Sequence, residues 1–463
     1  MGERRFTVAT RRLGHRNLST RNHSSENSKM SDAASRRQFL QQALGAGTAV
    51  AALGTWGQSL AAAREHRSAN EKLNIGCIGV AFQGEFNLAN VATENIVALC
   101  DIDSQRLGKA TEKFPKAKKY VDYRQLLDQK DLDAVVVSTP DHSHAIPAVW
   151  ALRRGLDLYC EKPLAHTIWE ARQITDWAAK QNAVTQIGTQ IHSSANYRRA
   201  VEIVRAGLLG PIQRVLIWCT APTKPGKRVS TATPPDYVNY DLWTGPAPIR
   251  PYDPSHFHYN WRYWWDFGGG VLEDMACHYM DLPFWALDLH APTSVVAKGE
   301  KTYQGDNDVP DNMQVDYRFP ERGDLPPVHL TWYHGTWRPE GAEKYGKNSA
   351  VLFEGRKGRL LADYQTHKLF MDDGHSATPP PKSIPDSIGH HQEWIHACKT
   401  RGTTTCNFAY SGPLSESALL GNVSYRLGGK ELAWDASSMR ATGASEADQY
   451  IRPTYRKGWS LDE

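Results

Sequence analysis

No stretch of this 463-residue chain reads as a membrane span, which needs about 20 strongly apolar residues. The nearest approach, "FLQQALGAGTAVAALGTW" from Phe39 to Trp56, is weakly apolar and interrupted by glycine. Cysteine is scarce: seven residues, at 77, 100, 160, 219, 277, 398 and 406, an odd number with no CxxC pair, which argues against a disulfide framework. Cys77, Cys100 and Cys160 lie instead in strand-like runs where a small apolar thiol packs well. An excess of one charge is missing too. Residues 1–70 hold 11 Lys and Arg against 4 Asp and Glu, so of the chain's 54 basic and 50 acidic residues the body keeps 43 and 46. A slightly acidic body has no electrostatic footprint for nucleic acid. The histidines of "IGHHQEWIHACK", His390, His391 and His396, lack zinc spacing and read as a helix start, so no metal is expected.

What the first 63 residues do contain is an address. Arg36 and Arg37 follow Ser35 and precede Phe39 and Leu40; a short apolar segment and a small-residue site at Ala61-Ala62-Ala63 come next. This order is that of a twin-arginine signal, which predicts export in the folded state to the periplasm by the twin-arginine machinery. Folding would then finish in the reducing cytoplasm, a second reason to expect free thiols. The polar segment before it suggests Met30 as the true start, which sets the arginines at a normal distance from the N-terminus.

From Leu73 the pattern alternates. "LNIGCIG" (73–79), "IVALCD" (96–101), "AVVVST" (134–139), "LDLYC" (156–160) and "AVTQIG" (183–188) are continuous apolar runs of strand length, the mark of a parallel sheet buried on both faces. "SQRLGKATEKF", "SHAIPAVWALRRG" and "IWEARQITDWAAKQN" between them carry helical spacing. The predicted fold is a doubly wound α/β domain over 71–190, a Rossmann domain, with ligands at the carboxyl ends of its strands. After about Gln190 the alternation stops, and "RVLIWCTAP", "SVVAKGEKTY", "MQVDYRFP", "PVHLTWYHG" and "SAVLFEG" read as strands of a second domain, 191–463.

The turn "GCIGVAFQG" after the first strand is placed to meet a dinucleotide. Gly79 and Gly84 take the first and third glycine positions of the fingerprint, but Ala81 stands at the middle one, where a methyl is expected to shift the turn slightly. Asp101 ends the second strand 22 residues after Gly79, in place to take the two hydroxyls of an adenosine ribose, and no arginine follows it immediately. NAD is therefore favoured over NADP.

Two further stretches, "STPDHSHAIPAV" (138–149) and "CEKPLAHT" (160–167), resemble the glucose-fructose oxidoreductase, inositol dehydrogenase and rhizopine catabolism family, Gfo/Idh/MocA, whose hallmark is the Glu-Lys-Pro turn, here Glu161, Lys162 and Pro163. "GGGVLEDMACHYMDLPFWAL" (268–287) resembles its second-domain helix with an Asp-x-x-x-His pair. The similarity runs from about Leu73 to the closing "YRKGWSL" and looks like members of planctomycete type. It implies a Rossmann domain followed by an α/β domain with a large, mostly antiparallel open sheet, and an active site between them. It also implies dimers or tetramers, because the open sheet face needs cover and "VHLTWYHG" reads as too hydrophobic for solvent.

The implied activity is nicotinamide-dependent oxidation of a hydroxyl on a sugar, glycoside or cyclitol, with a tightly bound cofactor. Lys162 would hydrogen-bond the reacting hydroxyl. Asp274 and His278, four apart on one helix face, would orient a neighbouring hydroxyl and accept the proton, the latter because histidine ordinarily titrates in the right range. Thr139, Pro140, His144 and Glu161 join Gly79, Ala81, Gly84, Asp101 and Lys162 as the expected cofactor contacts. Trp261, Trp264 and Trp265 in "FHYNWRYWWDF" offer indole faces for sugar rings. Two other functions remain open: an NAD-dependent glycoside hydrolase that oxidises its sugar transiently, and a sugar-binding protein without catalysis. The intact Asp274-x-x-x-His278 pair favours the dehydrogenase.

Overall fold

The computed structural model describes residue 68, residues 71–229 and residues 231–462. The leader, the twin arginines and Met30 lie outside the described residues. Six strands form the first sheet: β1 (Asn74–Ile78), β2 (Asn95–Cys100), β3 (Lys118–Tyr120), β4 (Ala134–Val137), β5 (Asp157–Cys160) and β6 (Thr185–Ile187). All pair in parallel in the order β3-β2-β1-β4-β5-β6. Five of them are the apolar runs. The sixth, β3, is the three polar residues Lys118, Lys119 and Tyr120; as an edge strand it needs no apolar face, so it gives no hydrophobic signal.

Helices cover both faces: α1 (Gln83–Asn90) and α2 (Ser104–Lys113) on one, α3 (Ala145–Arg153) and α4 (Ile168–Lys180) on the other. Their starts are written locally. Asp103 caps α2 by accepting from the amides of Gln105 and Arg106, and Thr167 with Glu170 forms a capping box on α4. The core of this sheet also recruits distant chain. Trp394 and Ile395 join the α1 side, and Cys406, Phe408 and Leu461 join the α3 side.

The second sheet has nine strands, β7 (Ile212–Cys219), β8 (Ser294–Glu300), β9 (Asn312–Phe319), β10 (Val328–His334), β11 (Ala350–Gly355), β12 (Gly358–Ala362), β13 (His367–Met371), β14 (Leu432–Asp435) and β15 (Arg440–Thr442). Their order is β13-β12-β11-β7-β10-β9-β8-β14-β15; only β7 and β10 pair in parallel. Its inner face packs on α5 (Ala195–Arg205), α6 (Gly270–Leu287) and α8 (Phe408–Arg426), while α7 (His390–Thr400) serves the first sheet.

Strand β10 alternates: Val328, Leu330 and Trp332 point into the main core, while His329, Thr331 and Tyr333 turn to the other face, where Thr331 is buried and Tyr333 packs on a smaller apolar cluster with Trp218 and Leu352. His329 and Thr331 both bond Asp316 Oδ1, at 2.7 and 2.8 Å. All seven cysteines are buried free thiols. Among the described residues no helix is long and apolar enough to cross a membrane.

Candidate active site

A cavity of about 490 Å³ runs along the carboxyl ends of the first sheet's strands and is closed from the other side by the segment 242–262 and by α6. At one end stand Asp101, Ile102, Arg106, Val121 and Tyr123; at the other, Lys162, Arg262, Asp274 and His278. The expected cofactor residues Gly79, Ala81, Asp101, Thr139, Pro140, His144, Glu161 and Lys162 all line it.

The first turn fits a dinucleotide by its shape. Gly79 has φ +80°, and a Cβ there would lie 2.5 Å from the Ser138 carbonyl oxygen. Gly84 does not line the cavity. It lets α1 close on the strand, since a Cβ would sit 2.1 Å from the Gly79 oxygen. Ala81 is accommodated because the left-handed positions fall on Gly79 and on Phe82, φ 53°, and not on Ala81 itself. Phe82 gives α1 no side-chain cap, so the helix presents free amides beside the cavity, the usual seat of a phosphate. Asp101 accepts from the amides of Val80 and Asp103, both at 3.0 Å, and keeps lone pairs for further donors. Burial pushes its pKa up against those two amides. Arg106, unremarked in the sequence, lines the same end. Its Nε is held 3.0 Å from Asp103 Oδ2 and its guanidinium lies 4.3 Å from the Phe82 ring centre.

Glu161 and His144 are structural members of the wall. Glu161 Oε1 accepts from Asn87 and Gln190 at 2.9 Å and from Gln83 at 3.2 Å, and burial raises its pKa against these donors. Only glycine fits beside it at 188, where a Cβ would come within 2.4 Å of the Glu161 carboxyl carbon. His144 lies between the Pro163 and Thr139 carbonyls, at 2.9 and 2.7 Å, and so ties the two signature turns together. Burial, with Lys162 and Arg262, holds its pKa down to about 4.

At the far end Lys162 Nζ donates to Asp274 Oδ1 and to the Asp274 carbonyl, each at 2.6 Å, leaving one of its three protons for the cavity. Burial works against its charge, but Asp274 and Asp141 outweigh burial and Arg262, and the pKa is raised. Asp274 is held well below the ordinary carboxylate range: burial opposes ionisation and is overcome by Lys162 and Arg262, whose Nε lies 3.2 Å away. Asp274 thus clamps two cations through Oδ1 while still lining the cavity. The His278 ring lines the cavity with no hydrogen-bond partner among the described residues. Its ordinary titration range does not hold here: burial and Lys162 lower its pKa to about 3, so the ring is neutral and offers a lone pair.

Of the three tryptophans, only Trp261 lines the cavity. Trp264 is buried, with Gly226 packed on its ring and the Arg228 guanidinium 4.7 Å from its centre; Trp265 packs beside Tyr425 and Arg426. A run of alternating aromatics points to several sides at once, so the cluster could not all face one ligand. Arg262 was hidden in that same run: it stacks on Tyr259 and Trp261, at 4.6 and 4.2 Å. Asp141 was also missed. It is buried in the wall with no hydrogen-bond partner for its carboxyl among the described residues, and burial with Glu273 pushes its pKa well up.

One buried group has metal-ligand chemistry. His192, Asp281 and Cys406 bring donor atoms within 4.8 Å of one another. His192 Nδ1 is already 2.8 Å from Asp281 Oδ1, the Tyr410 hydroxyl donates to the same oxygen, and burial keeps the Cys406 thiol protonated, so the group reads as a hydrogen-bonded core. His390 and His391 bond the Ile187 carbonyl and Asn87.

Comparison with known proteins follows this geometry. A 171-residue stretch is 29% identical to inositol 2-dehydrogenase of Salmonella typhimurium, covering 36% of this chain and 48% of that protein; the chain thus spans about half the length of the curated relatives it matches first. A 158-residue stretch is 31% identical to an alpha-N-acetylgalactosaminidase of Shewanella oneidensis, 31% of this chain and 34% of that one. The structure of the WlbA dehydrogenase from Bordetella pertussis, solved with NADH and UDP-GlcNAcA, shares the fold with a TM-score of 0.60 at 17% identity, over 79% of this chain and 98% of that one. Residues 73–189 match the NAD-binding Rossmann fold of the Gfo/Idh/MocA oxidoreductases and residues 216–461 their C-terminal alpha/beta domain, and the chain belongs to that family.

Proposed function

We propose that the protein oxidises a hydroxyl-bearing carbon of a sugar, glycoside or cyclitol to the ketone by hydride transfer, or reduces the ketone in the reverse direction. The observation that carries this is the pairing of a charged Lys162, one proton free, with the unpartnered neutral ring of His278 across one cavity. NAD held on the Gly79 turn, the α1 amides and Asp101 supplies the hydride acceptor. Lys162 donates to the reacting oxygen and stabilises the negative charge that grows there. His278 takes the hydroxyl proton on its free nitrogen; the oxygen becomes far more acidic as hydride leaves carbon, so a weak base suffices. Asp274 keeps Lys162 charged and fixed, and Arg262 keeps Asp274 ionised. Incubating the purified protein with NAD and a panel of sugars and cyclitols, with keto-product read by mass spectrometry, tests the reading; no keto-product and no nicotinamide reduction across the panel would refute it.

The signal at Arg36 and Arg37 supports export to the periplasm in folded form and with the dinucleotide resident. Free dinucleotide is scarce outside the cytoplasm, so retention needs a Kd near nanomolar, about −12 kcal/mol. Periplasmic protein purified without nucleotide, then denatured, should release NAD in near-stoichiometric amount. The glycosidase relative supports a second reading, transient oxidation followed by loss of an aglycone, which release of dye from chromogenic glycosides tests.

A further inference from the structure

Residues 452–462 carry no strand or helix after Ile451, yet they return to the first sheet and are fastened there. The Tyr455 hydroxyl donates to Glu170 Oε1 on α4 at 2.7 Å, Arg153 of α3 donates to the Leu461 carbonyl at 3.0 Å, and Leu461 is 7% exposed inside that side's core. Between these anchors Trp459 stands in the wall of the cavity. Its neighbours fix the end at which it stands. The Tyr123 ring is 6.5 Å away and the Arg124 guanidinium 5.3 Å, both at the start of the short helix Tyr123–Leu127 that follows β3, beside β2 and Asp101 and opposite to Lys162 and Asp274.

Arg456 locks the tail to a second element. Its guanidinium lies 5.1 Å from the Trp459 ring centre and donates to the side chain and the carbonyl of Asp241, at 2.7 Å each, and to the Gly245 carbonyl. The segment it grips is itself docked on the loop after β2: the Ser104 amide donates to the Tyr237 carbonyl at 2.8 Å and the Asn239 amide to that of Ile102 at 2.9 Å.

We propose that this C-terminal tail is a latch that closes the adenosine end of the dinucleotide cleft, with Trp459 as its aromatic wall, and that the dinucleotide leaves only when the latch lifts. The proposal rests on the reading of the cleft as an NAD site. Aromatic walls of this kind hold a base by stacking, and their removal typically costs about tenfold or more in affinity. The latch touches none of Lys162, Asp274 and His278, so its loss bears on retention and not on the reacting groups.

The test is the rate at which bound NADH is displaced by excess NAD, followed by nicotinamide fluorescence in a stopped-flow instrument. Trp459→Ala is expected to raise the dissociation rate about tenfold or more, Trp459→Phe to stay near the wild type, and Arg456→Ala, which releases the tail from Asp241 and Gly245 while keeping Trp459, to raise it as well. Rates unchanged in Trp459→Ala and Arg456→Ala, with wild-type circular dichroism, would overturn the latch. A wild-type protein that binds no NADH would overturn the reading of the cleft, and the latch with it.

Discussion

His166 follows the Glu-Lys-Pro turn and ties it to the helix that carries Asp274. Its Nδ1 lies 2.8 Å from Glu273 Oε1 and its Nε2 2.8 Å from the Trp265 carbonyl oxygen, so both ring nitrogens face acceptors, one of them a carboxylate. Burial lowers the pKa, but Glu273 and then Glu170 outweigh it and raise it to about 9 from 6.5. Below pH 6.5 the ring is protonated folded or unfolded, and the stabilisation is complete. Between pH 6.5 and 9 only the folded ring keeps its proton, and stability falls by about 1.4 kcal/mol per pH unit; above 9 the contribution, about 3 kcal/mol in all, is gone. Urea unfolding of wild type and His166→Gln at pH 6, 7.5 and 9.5 measures it. The wild type should be the more stable at pH 6, with the gap shrinking by about 3 kcal/mol at pH 9.5. A gap independent of pH would show that His166 is neutral in the folded protein and that the two turns are joined by ordinary hydrogen bonds.

Lys162→Met should fold and keep its dinucleotide but lose at least about 100-fold in turnover, the scale of a positioned electrostatic or proton-transfer group; near-normal turnover would remove Lys162 from the mechanism. His278→Ala should lose turnover similarly and recover part of it with added imidazole. Because its pKa is held near 3, wild-type kcat should show no inflection from His278 between about pH 5 and 9, and a step near neutrality that vanishes in His278→Ala would contradict that. Light scattering at micromolar concentration should return a dimer or tetramer, and a monomeric mass would refute the oligomer.

The parallel sheet was legible because β1, β2, β4, β5 and β6 are buried on both faces and so written as unbroken apolar runs, whereas β3 at the edge left no trace. In the second sheet β7 to β11 were visible, but β12 to β15 were too short and mixed to stand out. Lys162 and Asp274 were placed in one site from two motifs 112 residues apart, but their ion pair was not foreseen. Arg262, Asp141 and Trp459 were not assigned roles, for they reach the cavity through turns without periodicity, where only the tertiary path decides which way a side chain faces. The same ambiguity separated Trp261 from Trp264 and Trp265. The pKa of His278 could not be read at all, because burial beside a fixed cation is a property of the assembled site.

The presence of Cys406, Phe408 and Leu461 in the core of the first sheet has a consequence for synthesis. The domain translated first is closed only later, since its packing waits for residues far downstream of its last strand, β6. A nascent chain truncated near residue 190 would expose the apolar faces that Trp394, Phe408 and Leu461 cover, and would lack the anchors for its final layer. Completion of the first sheet's core therefore reports that synthesis has reached at least Leu461, and a quality check that senses exposed apolar surface there would read the arrival of the second half and correct folding as a single signal.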